Sequence, residues 1–389
     1  MKRYSIALVG IVALLKVSGA SAATLSVCTS GCQFGDPLSA VQAALGLEAT
    51  QPQNVTISIA DGTYVETNQI YTENPLGKFV QVVGDVADHT KVILRFTNIS
   101  GNNFGGFVAN AGGAFGLIDG VTIQGVGARQ AGSGNGVSWA SQSYGAGIMA
   151  AGASVIGLGP HLTIDGFYYS VVADKGGTVL ASQGGVTATD AGDVDFMARA
   201  GGTIVCNNCH ALGASDTTSG QLGCGFAAES NGSLYIDGST MQATLVGGVC
   251  AMQAGRVWAH NVTGSGNVGS QGGFGLLLLD GSTAEVTGSR FSGYGTGIYA
   301  TGGAFGDIGG VTVAGNTGDG IVADGGRLSG NWVSSQGNGG YGFHAFHQGT
   351  INVYNALAGA LGNRLGATAV EPVGITSNVA YAGSSVVIQ

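Results

Sequence analysis

The sequence predicts an all-β chain wound as a single-stranded, right-handed parallel β-helix with a short N-terminal capping helix, and three observations predict it. A large apolar residue recurs at Phe107, Ile148, Val171, Phe196, Phe226, Val249, Leu276, Ile298, Ile321 and Phe343, and all but one of these is followed two places later by Ala. After a first gap of 41 residues the spacings are 23, 25, 30, 23, 27, 22, 23 and 22, the period of a solenoid coil. Gly makes up 74 of 389 residues without a G-X-Y period, which suits tight turns and excludes collagen. No segment between these glycines keeps a 3.6-residue apolar repeat, so the coils are built from strands.

Taken in order, residues 1–22 read as a secretory signal. Lys2 and Arg3 precede a short apolar stretch, and Ala20-Ser21-Ala22 is an A-x-A cleavage site. Residues 23–54 form an N-terminal cap whose helix, over 37–46, carries Leu38, Val41, Ala44 and Leu45 on one side and closes the open end of the solenoid. Residues 55–365 are the coils, each a short strand, a Gly-containing turn and a second alternating run such as Ser233-Leu234-Tyr235-Ile236-Asp237. The 41-residue gap is a loop over 125–144 projecting from one coil. Residues 366–389 are a tail that closes the far end.

Composition narrows the partners. Apolar residues make up 44% and charged residues 9%, too hydrophobic a balance for disorder. Net charge is −9 with only 13 Lys and Arg, so the electrostatic footprint of a nucleic-acid partner is missing. No segment after the signal reaches the ~20 apolar residues of a membrane span. Six cysteines in an exported chain are disulfide candidates: Cys28 and Cys32 lie close together, while Cys206, Cys209, Cys224 and Cys250 cluster mid-chain. The location implied is secreted, periplasmic or cell-surface.

Val55-Thr56-Ile57-Ser58-Ile59-Ala60-Asp61-Gly62-Thr63-Tyr64-Val65-Glu66, followed by Val80-Gln81-Val82-Val83-Gly84-Asp85, resembles the opening of pectin-lyase-like β-helix proteins, pectinesterases in particular. The later coils are similar to the repeats of bacterial and phage surface β-helices. This superfamily holds lyases, hydrolases, esterases and non-catalytic binders, so the resemblance implies the fold and leaves activity open. Gly192-Asp193-Val194-Asp195-Phe196 resembles the pectinesterase stretch that carries the nucleophilic aspartate. Carried over, the catalytic residues are Asp195 as nucleophile and Asp174 as upstream acid, with Arg256 and Trp258 echoing an Arg-x-Trp motif. The Gln-Asp-Thr-Leu segment of that family is absent, as are the polygalacturonase and pectate lyase signatures.

Coil stacking turns sequence positions into neighbours. On the outside of the second strand, Val205, Tyr235, Trp258 and Glu285 follow one another, with Asn207, Asp237, His260 and Thr287 two places further on. Tyr235 and Trp258 beside Asp237 and His260 suit a sugar, with its apolar face and hydroxyl edges, and Asp237 with His260 suits acid–base work. An ordinary cross-strand ladder is the alternative. Asp174, Arg199 and Glu229 form a second ladder, expected to be a charge ladder because Arg199 lowers the carboxyl pKa values that a general acid needs raised.

Cys206-Asn207-Asn208-Cys209-His210 spells the C-x-x-C-H of c-type haem attachment. Cys206 falls in register with inward Ile236 and Ala259, so a strand accounts for it; a disulfide or buried thiols are expected, and no haem. The acidic turn Asp190, Asp193 and Asp195 has the oxygens Ca²⁺ takes, but a solvated turn is favoured and no metal site is assigned. The outward column Val108, Met149, Val172, Met197, Ala227, Cys250, Leu277, Tyr299, Val322 and His344 is an apolar stripe that calls for a cover, a homo-oligomer or the 125–144 loop, unless strand twist half-buries it. Two functions remain: an exported protein presenting a rigid flank to surface glycan without catalysis, or a carbohydrate-active enzyme (pectinesterase, polysaccharide lyase or glycoside hydrolase).

Overall fold

The computed structural model describes residues 22–48, 53–97, 104–126, 145–214, 223–266, 273–356, 362–365 and 385–388. Residues 1–21 of the expected signal segment, nearly all of the expected 125–144 loop and most of the expected C-terminal tail lie outside these residues. The described chain is a parallel β-helix of three sheets with 11, 14 and 11 strands, called I, II and III in the order each coil visits them. One coil, for example, runs through Cys224–Glu229 in sheet I, Ser233–Asp237 in sheet II and Thr240–Gln242 in sheet III.

The repeat positions are stacked neighbours. Phe107, Ile148, Val171, Phe196, Phe226, Val249, Leu276, Ile298, Ile321 and Phe343 pair in unbroken register along sheet I. These side chains are buried in the interior, as are the alanines two places on. Phe196 and Phe226 stack at 4.8 Å. Each such fully buried aliphatic or aromatic side chain contributes about 1.5–3 kcal/mol, which no isolated coil could collect. The turn from sheet I to sheet II must pass close over the coil below: a Cβ on Gly232 would stand 2.0 Å from the Ala198 carbonyl oxygen.

The N-terminal end is closed by the helix. Ala23–Val27 pairs in parallel with Val55–Ile59, so a strand of sheet II precedes the capping helix, which runs over Pro37–Glu48. Ala40, Val41 and Ala44 of that helix enter the core, and Asp36 accepts a hydrogen bond from the Ser39 amide at 2.7 Å, an N-cap contact. At the far end, Ser385–Ile388 adds a last parallel strand to Thr350–Tyr354. The turns from sheet III to sheet I in the last coils are tied by a buried ladder in which the Asn316 amide donates to Asn338 and Asn338 to Asn363, each at 2.9 Å. Buried amides satisfied in this way rigidify the turns they join.

The apolar stripe corrects one expectation. From Val108 to Leu277 it forms a second hydrophobic cluster on the outside of sheet I, buried within the single chain together with Tyr168, Tyr169, Val194 and the Cys224–Cys250 disulfide. A second subunit is not needed to cover that part. Leu277→Asp is therefore expected to destabilise the chain by several kcal/mol, as an unpaired charge in an apolar layer does, and thermal unfolding should show it in the monomer.

Glu66 gives a pH test of the cap. Its side chain is buried, and burial pushes the carboxyl up to about 7, assisted by Asp36 and opposed by the Leu38 amide, which donates to it at 3.2 Å. The folded chain holds this proton where the unfolded chain releases it, so stability falls as pH rises from about 4.5 to about 7. Glu66→Gln should match wild type at pH 4 and exceed it at pH 8 by up to about 3 kcal/mol, read from unfolding midpoints at the two pH values.

Candidate functional site

The ladder on sheet II is assembled as the register requires: Val205, Tyr235, Trp258 and Glu285 are neighbours, and so are Asn207, Asp237, His260 and Thr287. Tyr235 and Trp258 stack on each other, with ring centroids 4.4 Å apart and planes 3° from parallel. Each therefore turns one aromatic face onto the other, and the edges point outward. Asp237 accepts a hydrogen bond from the Asn261 amide at 3.2 Å. The carboxylate that His260 approaches is that of Glu285, with Nε2 3.8 Å from it. An Asp237–His260 acid–base pair is thus not formed. Glu285 is followed in register by Asp307, whose carboxyl is raised by burial and then by the Glu285 charge.

The residues carried over from the esterase resemblance are not brought together. Asp195 is fully buried inside the solenoid, where no substrate reaches it. It continues a column that is Gly147, Ser170, Asp195, Gly225 and Gly248 in successive coils. That column faces the inner residues of sheet III; a Cβ on Gly225 would meet Ala211 and Met241. Sheet III carries Ile164, Ala188, Ala211 and Met241 in order, so two alanines open the space that the Asp195 carboxyl fills. Neither carboxyl oxygen makes a hydrogen bond of good geometry; burial first, then Asp190, holds its pKa well above the usual carboxylate range, opposed by the nearby Ala191 amide and Ser170 hydroxyl. Asp174 is buried against Arg199, at 3.3 Å, with Glu229 next in register: a charge ladder. Arg256 lies exposed on the outside of sheet II, away from Asp195.

The cysteines pair as Cys28–Cys32, Cys206–Cys209 and Cys224–Cys250. Both thiols of the C-x-x-C-H segment thus join each other within the buried core. The three carboxylates of the acidic turn diverge: Asp190 is exposed, Asp193 accepts from the Gly223 amide at 3.2 Å, and Asp195 points inward. Among the described residues, no group of three or more His, Cys, Asp or Glu converges as a metal site would.

The stripe on sheet I opens where its column changes from aliphatic to aromatic and polar. An open groove of about 500 Å³ runs over the last coils, floored by Leu277 and Val322 and walled by Phe274, Tyr299 and Phe346, with Asp319 and His344 at one side. Phe274 and Tyr299 lie 5.3 Å apart and tilted, as do His344 and Phe346 at 4.8 Å. Asp319 takes the Tyr341 amide at 2.7 Å and pairs with His344 Nδ1 at 2.8 Å. Asp324, one register step from Thr301 and Phe346, accepts from the Tyr299 hydroxyl at 2.6 Å and pairs with His347 Nδ1 at 2.7 Å. Burial, then Asp324, pushes the Tyr299 phenol up to about 12. The Asn316–Asn338 ladder holds the turns that carry Asp319 and Tyr341. Sequence reasoning placed Tyr299, Val322 and His344 in one column but missed the groove; its signal was the break in that column after Leu277.

Residues 185–358 match the family model described as a right handed beta helix region, which agrees with the hand expected for the coils. No curated protein matches the sequence. Among solved structures, the chain is similar to the catalytic domain of a GH87 alpha-1,3-glucanase in complex with nigerose, at 11% identity and TM-score 0.48 over 94% of this chain and 68% of that one. It is similar to PfbA, a surface adhesin of Streptococcus pneumoniae, at 12% identity and TM-score 0.43 over 87% and 91%. It is also similar to a rhamnogalacturonan lyase, at 13% identity and TM-score 0.41 over 80% and 76%. The fold itself rests on the register above.

Asp195 provides a direct check on its interior placement. Because the folded chain keeps its proton far above pH 3.8, its ionisable carboxyl costs stability that grows as pH rises from that value. Asp195→Ala should raise the unfolding midpoint at pH 8 and change it much less near pH 4. A loss of stability at both pH values would place the side chain in a satisfied site instead.

Proposed function

We propose that this chain is an exported, non-catalytic glycan-binding β-helix that holds an uncharged sugar chain in the groove on the outside of sheet I. The observation that carries this reading is the groove itself: three aromatic walls over an aliphatic floor, with hydrogen-bonding carboxylate and imidazole groups along one side. Sugar rings present an apolar face and a rim of hydroxyls, and this lining offers a partner for each. No Lys or Arg lines the groove, while Asp319 does, so a uronate polymer would meet a carboxylate with no compensating cation. Two facts support binding over turnover. Asp319 and Asp324 are each already engaged by two donors of the protein, and Asp195 is out of reach. Three disulfides suit an oxidising compartment outside the cytosol.

The ladder on sheet II contributes less in this reading, because the mutual stacking of Tyr235 and Trp258 leaves edges for a ligand. On an array of neutral and acidic oligosaccharides, wild type should retain neutral glycans. Tyr299→Ala and Phe346→Ala should each weaken binding about tenfold, or ~1.4 kcal/mol, and Trp258→Ala by less than about twofold. The reverse order would move the site to sheet II. Cleavage or elimination products from any bound glycan would replace the non-catalytic reading with an enzymatic one.

A further inference from the structure

Six successive corners between sheets II and III are turned by one residue with positive φ, Asn208, Gly238, Asn261, Gly288, Gly310 and Trp332, and Asn355, just after the sheet II strand Thr350–Tyr354, has the same conformation. In these six, the corner amide donates to a carbonyl of the next coil, as Trp332 does to Tyr354 at 2.9 Å. Gly and Asn are the residues that tolerate this left-handed conformation. Trp332, at φ 61°, is the exception, and a bulky side chain there is a true outlier. Nothing in the interior explains it, because Trp332 is 55% exposed. One coil on, Tyr354 is 48% exposed. The side chains beside this pair are uncharged amides, Asn331 and Asn355, which hydrogen-bond each other at 2.9 Å. Strained residues of this kind cluster at ligand-contact sites.

We infer that Trp332 and Tyr354 form a second sugar-contact site, separate from the groove, in which a pyranose ring of a neutral polysaccharide lies on the exposed indole face. Unlike Trp258, whose face is taken by Tyr235, Trp332 makes no ring–ring contact with Tyr354 or any other described aromatic. The flanking amides of Asn331 and Asn355 supply donors and acceptors for hydroxyls and carry no charge themselves, which suits a neutral chain over an ionic partner. Two contacts on one polymer also raise its overall affinity without any new interaction at either one.

The decisive variant is Trp332→Asn, because Asn is native at this corner in other coils and so cannot fail for want of the turn. Dextran, laminarin and xylan serve as probes in affinity gel electrophoresis, with thermal unfolding alongside. The expected result is a midpoint raised by about 1–3 °C through relief of strain, together with about a tenfold weaker retardation by at least one of the three polymers. Retardation of Trp332→Asn equal to wild type in all three gels would overturn the inference, as would no retardation of wild type by any of them. Loss on Tyr299→Ala with retention in Trp332→Asn refutes only this second site, and the converse refutes only the groove. A wild-type dimer in light scattering that Trp332→Asn renders monomeric would assign the indole to a second copy of the chain and overturn the sugar assignment.

Discussion

Parallel pairing between successive coils is the interaction on which everything else in this molecule depends. A strand of three to six residues has neither the length to satisfy its backbone nor the face to build a core. Stacked about 4.8 Å from an equivalent strand, it gains both. The same pairing sets the register, and register converts a loose sequence repeat into columns of identical function: Phe, Val, Leu and Ile inward, Ala two places on, Gly where one backbone crosses another. An error of one residue would exchange the inner and outer faces of every strand it touched.

The columns also explain where the molecule departs from its repeat. The interior has a nearly constant volume, so a larger side chain in one column demands a smaller one opposite. Asp195 stands where most coils have Gly because Ala188 and Ala211 stand across from it. The outcome is an acid sealed in the core, its pKa raised by desolvation, with a local motif that imitates a catalytic one. A carboxylate in a suggestive sequence context is chemically useful only if a substrate can reach it, and reach is decided by which way the pleat points.

The outer face of sheet I shows the opposite case. Through its first coils that face is covered by the chain itself and tied by the Cys224–Cys250 bond. In the last coils the cover ends, and the same columns carry Tyr299, Val322 and His344 beside Asp319 and Asp324. One strip of sheet is therefore core along part of its length and surface along the rest. The asparagine ladder beneath the open part ties together the turns that hold the polar groups.

Sequence alone determined the coil, its period, both principal inward columns, the capping helix and the adjacency of Tyr235 with Trp258, because each follows from periodicity and from strand pairing one coil apart. It also placed Cys206 inward by register, where the structure has it, disulfide-bonded to Cys209. Tertiary structure decided what periodicity does not encode. The mutual stacking of Tyr235 and Trp258, the choice of Glu285 by His260, the burial of Asp195 and the covering of the stripe all depend on rotamers and on turns whose lengths vary from coil to coil. The groove belongs to the same class: Asp319 and Tyr341 lie in turns, Asp324 and Phe346 at a strand end, and only the three-dimensional path of those turns brings them to one side of Tyr299.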